Sequence, residues 1–143
     1  MLDVQQYLPT WRGDYPHMFP LDKEVWNKFL AKYGNLYKGF QYDVTCGMTS
    51  EPEPHWTEPT IKDAQILSKL RIDVVGESQD FIDIIEVKPR GNMSAIGQLL
   101  TYRQHYTADY EPQKPVRMVL VCSDIDPNIV QLAEDNKIIY MVV

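Results

Sequence analysis

The chain has 143 residues, enough for one domain with a buried core and too few for several. Its 44% hydrophobic and 24% charged residues are ordinary globular values, which exclude an unfolded tail, a collagen-like fibre and a coiled coil. With 20 acidic side chains against 14 basic ones the formal charge is -6, which argues against a module that coats phosphates over its whole surface but not against a local cleft.

Residues 1–20 are aromatic, proline-bearing and aperiodic, with Tyr7, Trp11, Tyr15 and Phe19 set among Pro9, Pro16 and Pro20. They are too apolar for a free tail and predict an irregular arm packed on a single domain over 21–143. A helix is expected from Leu21: Asp22 reads as its N-cap, Glu24 lies in the first turn, Val25, Trp26, Phe29, Leu30 and Tyr33 recur at helical spacing, and Gly34 closes it. Leu36 to Thr45 alternates as a strand.

Residues 47–59 hold three prolines and three glutamates and predict a long loop carrying His55 and Trp56, followed by a short helical turn over 61–68. Two strands, Leu70 to Val75 and Phe81 to Val87, flank a polar connection of hairpin character. Beyond Pro89 the period is helical from Ser94 to Tyr106. Val116 to Cys122 is an apolar run of strand length, Asp126 to Asp135 a short helix with Pro127 at its first position, and Lys137 to Val143 a final strand. The class is therefore α/β, in the order helix, three strands, helix, strand, helix, strand.

Several chemistries are excluded by what is missing. Cys46 and Cys122 are far apart and form no CxxC, and His17, His55 and His105 show no ligand spacing, so neither a zinc knuckle nor a histidine-zinc hydrolase fits. There is no P-loop, dinucleotide fingerprint or GxSxG. The N-terminus has no basic start or apolar run of signal-peptide length, and a cytoplasmic location is expected, the host cytoplasm if the chain is phage-encoded.

The informative segment is Asp73, then 12 intervening residues, then Glu86-Val87-Lys88. Strand side chains alternate, so Glu86 and Lys88 share one face. If the two strands pair antiparallel, Asp73 lies beside Glu86. Two adjacent carboxylates at the end of an apolar strand repel unless a divalent cation sits between them. Carboxylates holding Mg²⁺ or Mn²⁺, with a cation to support developing charge, are what phosphodiester hydrolysis requires. Pro89 is expected to end the strand, placing the pair at the sheet rim.

These residues resemble the PD-(D/E)XK nuclease superfamily, and the match is strengthened by Gln98 and Tyr102, which are similar to the QxxxY motif of its RecB-like branch and lie one helical turn apart. The resemblance implies a restriction-endonuclease-like core, a central mixed sheet flanked by helices, over about residues 21–143. It implies Asp73, Glu86 and the backbone carbonyl of Val87 as metal ligands, with Glu24 as an outer one. Lys88 would position water or stabilise the transition state, and Gln98 and Tyr102 would orient Lys88 or the scissile phosphate. Ile72 stands before Asp73 where the family name implies proline.

Arg71, Arg90 and Arg103, with His105, are candidates for a DNA path. The expected activity is Mg²⁺-dependent hydrolysis of DNA by water, endo or exo, in a phage- or mobile-element-type enzyme that acts alone, as a homodimer or in a larger assembly. A Holliday-junction resolvase is the alternative within the enzyme class. Outside it stands a catalytically inactive relative that binds nucleic acid or protein. Taken singly, Asp73 and Lys88 read sooner as a cross-strand ion pair than as a catalytic pair, and Gln98 and Tyr102 sooner as a polar helix stripe.

Overall fold

A computed structural model describes residues 5–48, 53–61 and 69–143. Most of the expected 61–68 turn lies outside them; residues 58–61 are helical. The strands are β1 (Gly39–Cys46), β2 (Leu70–Glu77), β3 (Ile82–Gly91), β4 (Val116–Ile125) and β5 (Ile138–Val142), in sheet order β1-β2-β3-β4-β5. β1, β2 and β3 form an antiparallel meander, whereas β3, β4 and β5 run parallel. The expected α/β class, element order and mixed sheet are therefore observed.

Helices cover both faces of the sheet. On one, α1 (Pro20–Tyr33) buries Val25, Trp26, Phe29 and Leu30 against Phe40, Tyr42, Val74, Ile85, Val87, Val119 and Val121. On the other, α2 (Met93–Tyr110) packs Ala95, Ile96, Leu99, Tyr102 and Tyr106 against Val44, Ile72, Val75, Ile84 and Leu120. A 3₁₀ turn over Pro127–Ile129 leads into α3 (Val130–Asp135), which covers the β4–β5 end of the same face. Cys46 and Cys122 are both buried free thiols. Among the described residues no helix is long and apolar enough to cross a membrane.

The helix starts follow local chemistry. Asn92 caps α2 by accepting the Ala95 N–H at 3.2 Å. The start of α1 corrects the sequence reading: the helix opens with Pro20 at its first position, and Phe19, not Asp22, is the N-cap residue. Asp22 sits at the third helical position, where its Oδ2 accepts the Phe19 N–H at 3.1 Å, half of a capping box. Upstream, the arm is held by aromatic contacts. Tyr7 exchanges backbone hydrogen bonds with Phe40 at 2.7 and 2.9 Å, and Tyr7, Trp11 and Tyr15 all pack on Tyr42.

A buried ion pair ties β3 to β4. Asp83 is fully buried and accepts two hydrogen bonds from Arg117, at 2.7 and 2.9 Å, and a third from the Tyr37 hydroxyl at 2.7 Å. The guanidinium also lies 4.0 Å from the Phe81 ring centroid. Asp83 and Arg117 are register partners on parallel strands, so their pairing fixes how β4 aligns with β3.

The strand alternation breaks at one level of the sheet. Tyr42 and Val74 pack on the α1 side, yet Val44 and Ile72, each two residues away, pack on the α2 side. Between them lie Asp43, with a positive φ of 55° inside a strand, and Asp73 opposite it. Aspartate tolerates this left-handed conformation better than most residues. The twist it imposes coincides with the parting of β2 from β3: their pairing runs from Glu77 and Ile82 only as far as Val74 and Ile85. Beyond that point the strands fork.

Candidate active site

Asp73 and Glu86 face each other at the mouth of this fork, one residue past the last paired positions. Asp73 turns into the gap, and its Oδ2 accepts the backbone N–H of Val87 at 2.9 Å, replacing the ladder bond that β2 no longer supplies. Glu86 is 4% exposed, and its Oε2 is buried with no hydrogen-bond partner among the described residues. The Glu86 and Asp73 side chains are hydrogen-bonded to each other. Burial raises the pKa of both carboxyls, and for Glu86 the adjacent Asp73 raises it further.

The fork also corrects the expected role of Pro89. The strand does not end there but continues to Gly91, with Lys88, Arg90 and Gly91 paired to Cys122, Asp124 and Ile125 of β4. Pro89 shares its parity with Val87, whose N–H points into the gap, so the missing proline donor faces the side where β2 has already left. The site therefore lies inside the sheet, between two diverging strands.

A cleft of about 330 Å³ opens onto the pair and is lined by Asp22, Asp73, Glu86, Lys88, Arg90 and Asn92, with His17 and Phe19 from the arm. Lys88 shares the Glu86 face, half-buried, and its charge favours ionisation of both carboxyls. Tyr102 reaches the pair from α2: burial raises its pKa, and the charges of Glu86 and Asp73 add to the rise. Gln98 donates its amide to the Tyr102 hydroxyl, leaving its Oε1 buried without a partner. The structure thus brings Asp73, Glu86, Lys88, Gln98 and Tyr102 together.

It does not bring in Glu24. That residue is exposed, and the α1 acid at the cleft is Asp22, whose charge raises the pKa of both Asp73 and Glu86. The signal was available, because Asp22 stands three and four residues before Val25 and Trp26 and so shares their inward face, whereas Glu24 does not. Among the arginines, Arg71 is bound to Asp43 across β1, with Nε at 2.8 Å from Oδ1. Arg90 lines the cleft and pairs with Asp124. Arg103 is exposed on α2 and His105 half-buried there, neither lining the cleft. His55 pairs with Glu53 at 3.4 Å in the part of the loop described.

Comparison with known proteins places this geometry. Residues 61–143, more than half of the chain, match the family model described as the endonuclease NucS C-terminal domain. The chain belongs to this family. The match contains Asp73, Glu86, Lys88, Gln98 and Tyr102, while the arm and α1 precede it. No curated protein matches the chain. Among solved structures, a repair endonuclease from Pyrococcus abyssi is similar over 92% of this chain and 49% of its own, with 19% identity and a TM-score of 0.53. An EndoMS-dsDNA2 complex is similar over 93% of this chain and 48% of its own, with 15% identity and a TM-score of 0.51. These likenesses show the fold, and the chain spans about half the length of the solved structures it matches.

In this NucS-type domain the carboxyl pair carries a pH signature. Burial and Asp73 push the Glu86 carboxyl from its ordinary 4.5 up to about 9. The folded metal-free state therefore binds a proton that the unfolded state has released, and stability falls as pH rises between those two values. In metal-free buffer at pH 8, Glu86→Gln is expected to be more stable than wild type by on the order of 2 kcal/mol, the gap closing toward pH 5. Urea melts across that range measure it. Wild-type and variant curves that run parallel across pH would contradict the assignment.

Proposed function

We propose that this domain hydrolyses DNA phosphodiester bonds in a divalent-metal-dependent reaction with water as nucleophile, as the catalytic part of an endonuclease. The observation that carries the reading is the buried Asp73–Glu86 pair at the fork, with an unpartnered Glu86 oxygen and Lys88 on the same strand face. Two proximal carboxylates are a hard oxygen donor set that suits Mg²⁺ or Mn²⁺. Among the described residues no three His, Cys, Asp or Glu side chains converge. Mg²⁺ needs only one or two carboxylates and keeps several waters, so a two-carboxylate site is sufficient for it. Asp73 and Glu86 would hold it, with the Val87 carbonyl as a further ligand and Asp22 as a nearby charge.

When bound there, the cation supplies a Lewis acid that polarises the phosphate and lowers the pKa of water. The chain's own groups do the rest. Asp73, held by the Val87 N–H, stays fixed while Glu86 gives up its proton. Lys88 offsets the charge that develops on the phosphoryl oxygens. Arg90 and Asn92 at the rim would hold the phosphate in line, with Tyr102 and Gln98 set behind the carboxylates.

A DNA substrate is supported by the family and by the presence of Lys88 and Arg90 in the cleft. From Lys69 to Arg117 seven basic residues balance seven acidic ones, so the acid excess lies outside the site segment. Treating the protein with EDTA, dialysing, and restoring Mg²⁺, Mn²⁺ or Ca²⁺ on plasmid, linear and branched DNA tests the reading. Cleavage is expected with Mg²⁺ and Mn²⁺ and is expected to stop without them. Undiminished cleavage in EDTA would reject the metal role; DNA binding with no cleavage in any metal would favour an inactive binding relative.

A further inference from the structure

The cleft has an aromatic rim that the proposed chemistry does not use. Phe19 is 75% exposed and lines the cleft together with Asp22, Asp73, Glu86 and Lys88. Local structure gives no reason for it. It occupies the N-cap of α1, where Ser, Thr, Asp or Asn would bond the free backbone donors and phenylalanine cannot. A ring left in water also forgoes the burial that makes aromatic side chains stabilising. Breaches of local preference of this kind concentrate where a residue meets a ligand.

The backbone that presents Phe19 is fixed from both sides. Downstream, its N–H donates to Asp22 at 3.1 Å and its carbonyl accepts the Lys23 N–H at 3.0 Å. Upstream, Tyr15 is buried among Trp11 and Tyr42 and donates its hydroxyl to Asn27 at 2.6 Å. The intervening turn closes with the Met18 N–H on the Tyr15 carbonyl at 3.3 Å, and His17 takes a positive φ of 65° within it. A ring on so constrained a support loses little freedom when something stacks on it.

The chemistry of the neighbours defines what stacks. The cleft is lined by the acids Asp22, Asp73 and Glu86, by the cations Lys88 and Arg90, and by His17 and Asn92. A groove that takes the nucleic-acid backbone, with an exposed aromatic at its lip, is how proteins hold an unstacked nucleotide, the groove following the backbone and the ring taking the base. We propose that Phe19 is a stacking platform for a nucleobase flanking the phosphate in the cleft, so that the N-terminal arm supplies a base contact to a site otherwise built from the sheet and α2. The proposal rests on the reading of the cleft as a DNA phosphodiester site.

A pair of oligonucleotides of equal length separates the base contact from the phosphate contacts: one of deoxyadenosines, one of abasic tetrahydrofuran residues. Fluorescence anisotropy in Ca²⁺ reads the affinity of each. The wild type is expected to bind the adenosine strand about 5- to 100-fold more tightly than the abasic strand. Phe19→Ala is expected to remove that preference while leaving abasic binding and the melting temperature unchanged, and Phe19→Trp to restore it. A preference that survives Phe19→Ala overturns the proposal, as does failure of the wild type to bind either strand. The cleavage assay with Mg²⁺ is independent: a Phe19-dependent preference without cleavage keeps the base platform and rejects the nuclease reading, whereas cleavage without the preference does the reverse.

Discussion

Lys88→Ala is expected to lower DNA cleavage at saturating Mg²⁺ by about 10²- to 10³-fold, the effect of removing one preorganised charge from a developing oxyanion. The fold tolerates the change, because among the described residues Lys88 is half-buried on β3 beside the fork and bonded to no structural acid. Melting temperature and Mg²⁺ affinity, read by calorimetry, are therefore expected to stay near wild type. Glu86→Ala is expected to differ in kind, abolishing cleavage and weakening Mg²⁺ binding together, since it removes half of the carboxylate pair. Lys88→Arg keeps the charge but spreads it over a plane, and partial activity is the expected result. A Lys88→Ala protein that cleaves at the wild-type rate would show that the cleft is not the reacting centre.

Arg117→Ala carries the largest expected effect on stability. It leaves the Asp83 carboxylate fully buried with only the Tyr37 hydroxyl for company, and breaking a buried pair from one side costs about 3–5 kcal/mol. Asp83→Asn is expected to cost less, because Arg117 is partly exposed and can turn its guanidinium toward water. Urea denaturation measures both, and equal losses would show that the pair contributes through packing alone. Because Asp83 lies three residues before Glu86 on β3, a slip of β4 against β3 would also shift the strand that carries the site. Loss of cleavage in Arg117→Ala is therefore to be read at temperatures where the variant remains folded.

The parts of this molecule visible in its sequence are those governed by short-range rules. Asp73, Glu86 and Lys88 could be placed on one hairpin because strand alternation and turn chemistry act within about 20 residues. Gln98 and Tyr102 could be placed on one face because a helix repeats within four. What depended on tertiary parting did not show. The fork between β2 and β3 coincides with a left-handed Asp43 on β1, which no sequence pattern announces, and without the fork Pro89 reads as a terminator when β3 in fact runs on to Gly91. Arg71 reads as a DNA contact until its strand partner brings Asp43 to it. Asp22 is legible on the inward face by helical period, yet its place before the apolar run reads as a cap, a role that Phe19 holds. The place of His17 and Phe19 depends on the aromatic docking of the arm, which no local pattern encodes.

The hydrogen bond from the Val87 amide to Asp73 has a further meaning for anyone who would watch this protein at work. In most sheets an amide reports only on its ladder partner. Here one backbone proton is bonded to a carboxylate that is itself expected to change its charge environment whenever the cleft fills. The peptide group thus serves as a built-in spectroscopic label at the carboxyl pair, requiring no probe and no substitution. Its chemical shift reads the state of Asp73, and its rate of exchange with deuterated water reads how often the fork opens.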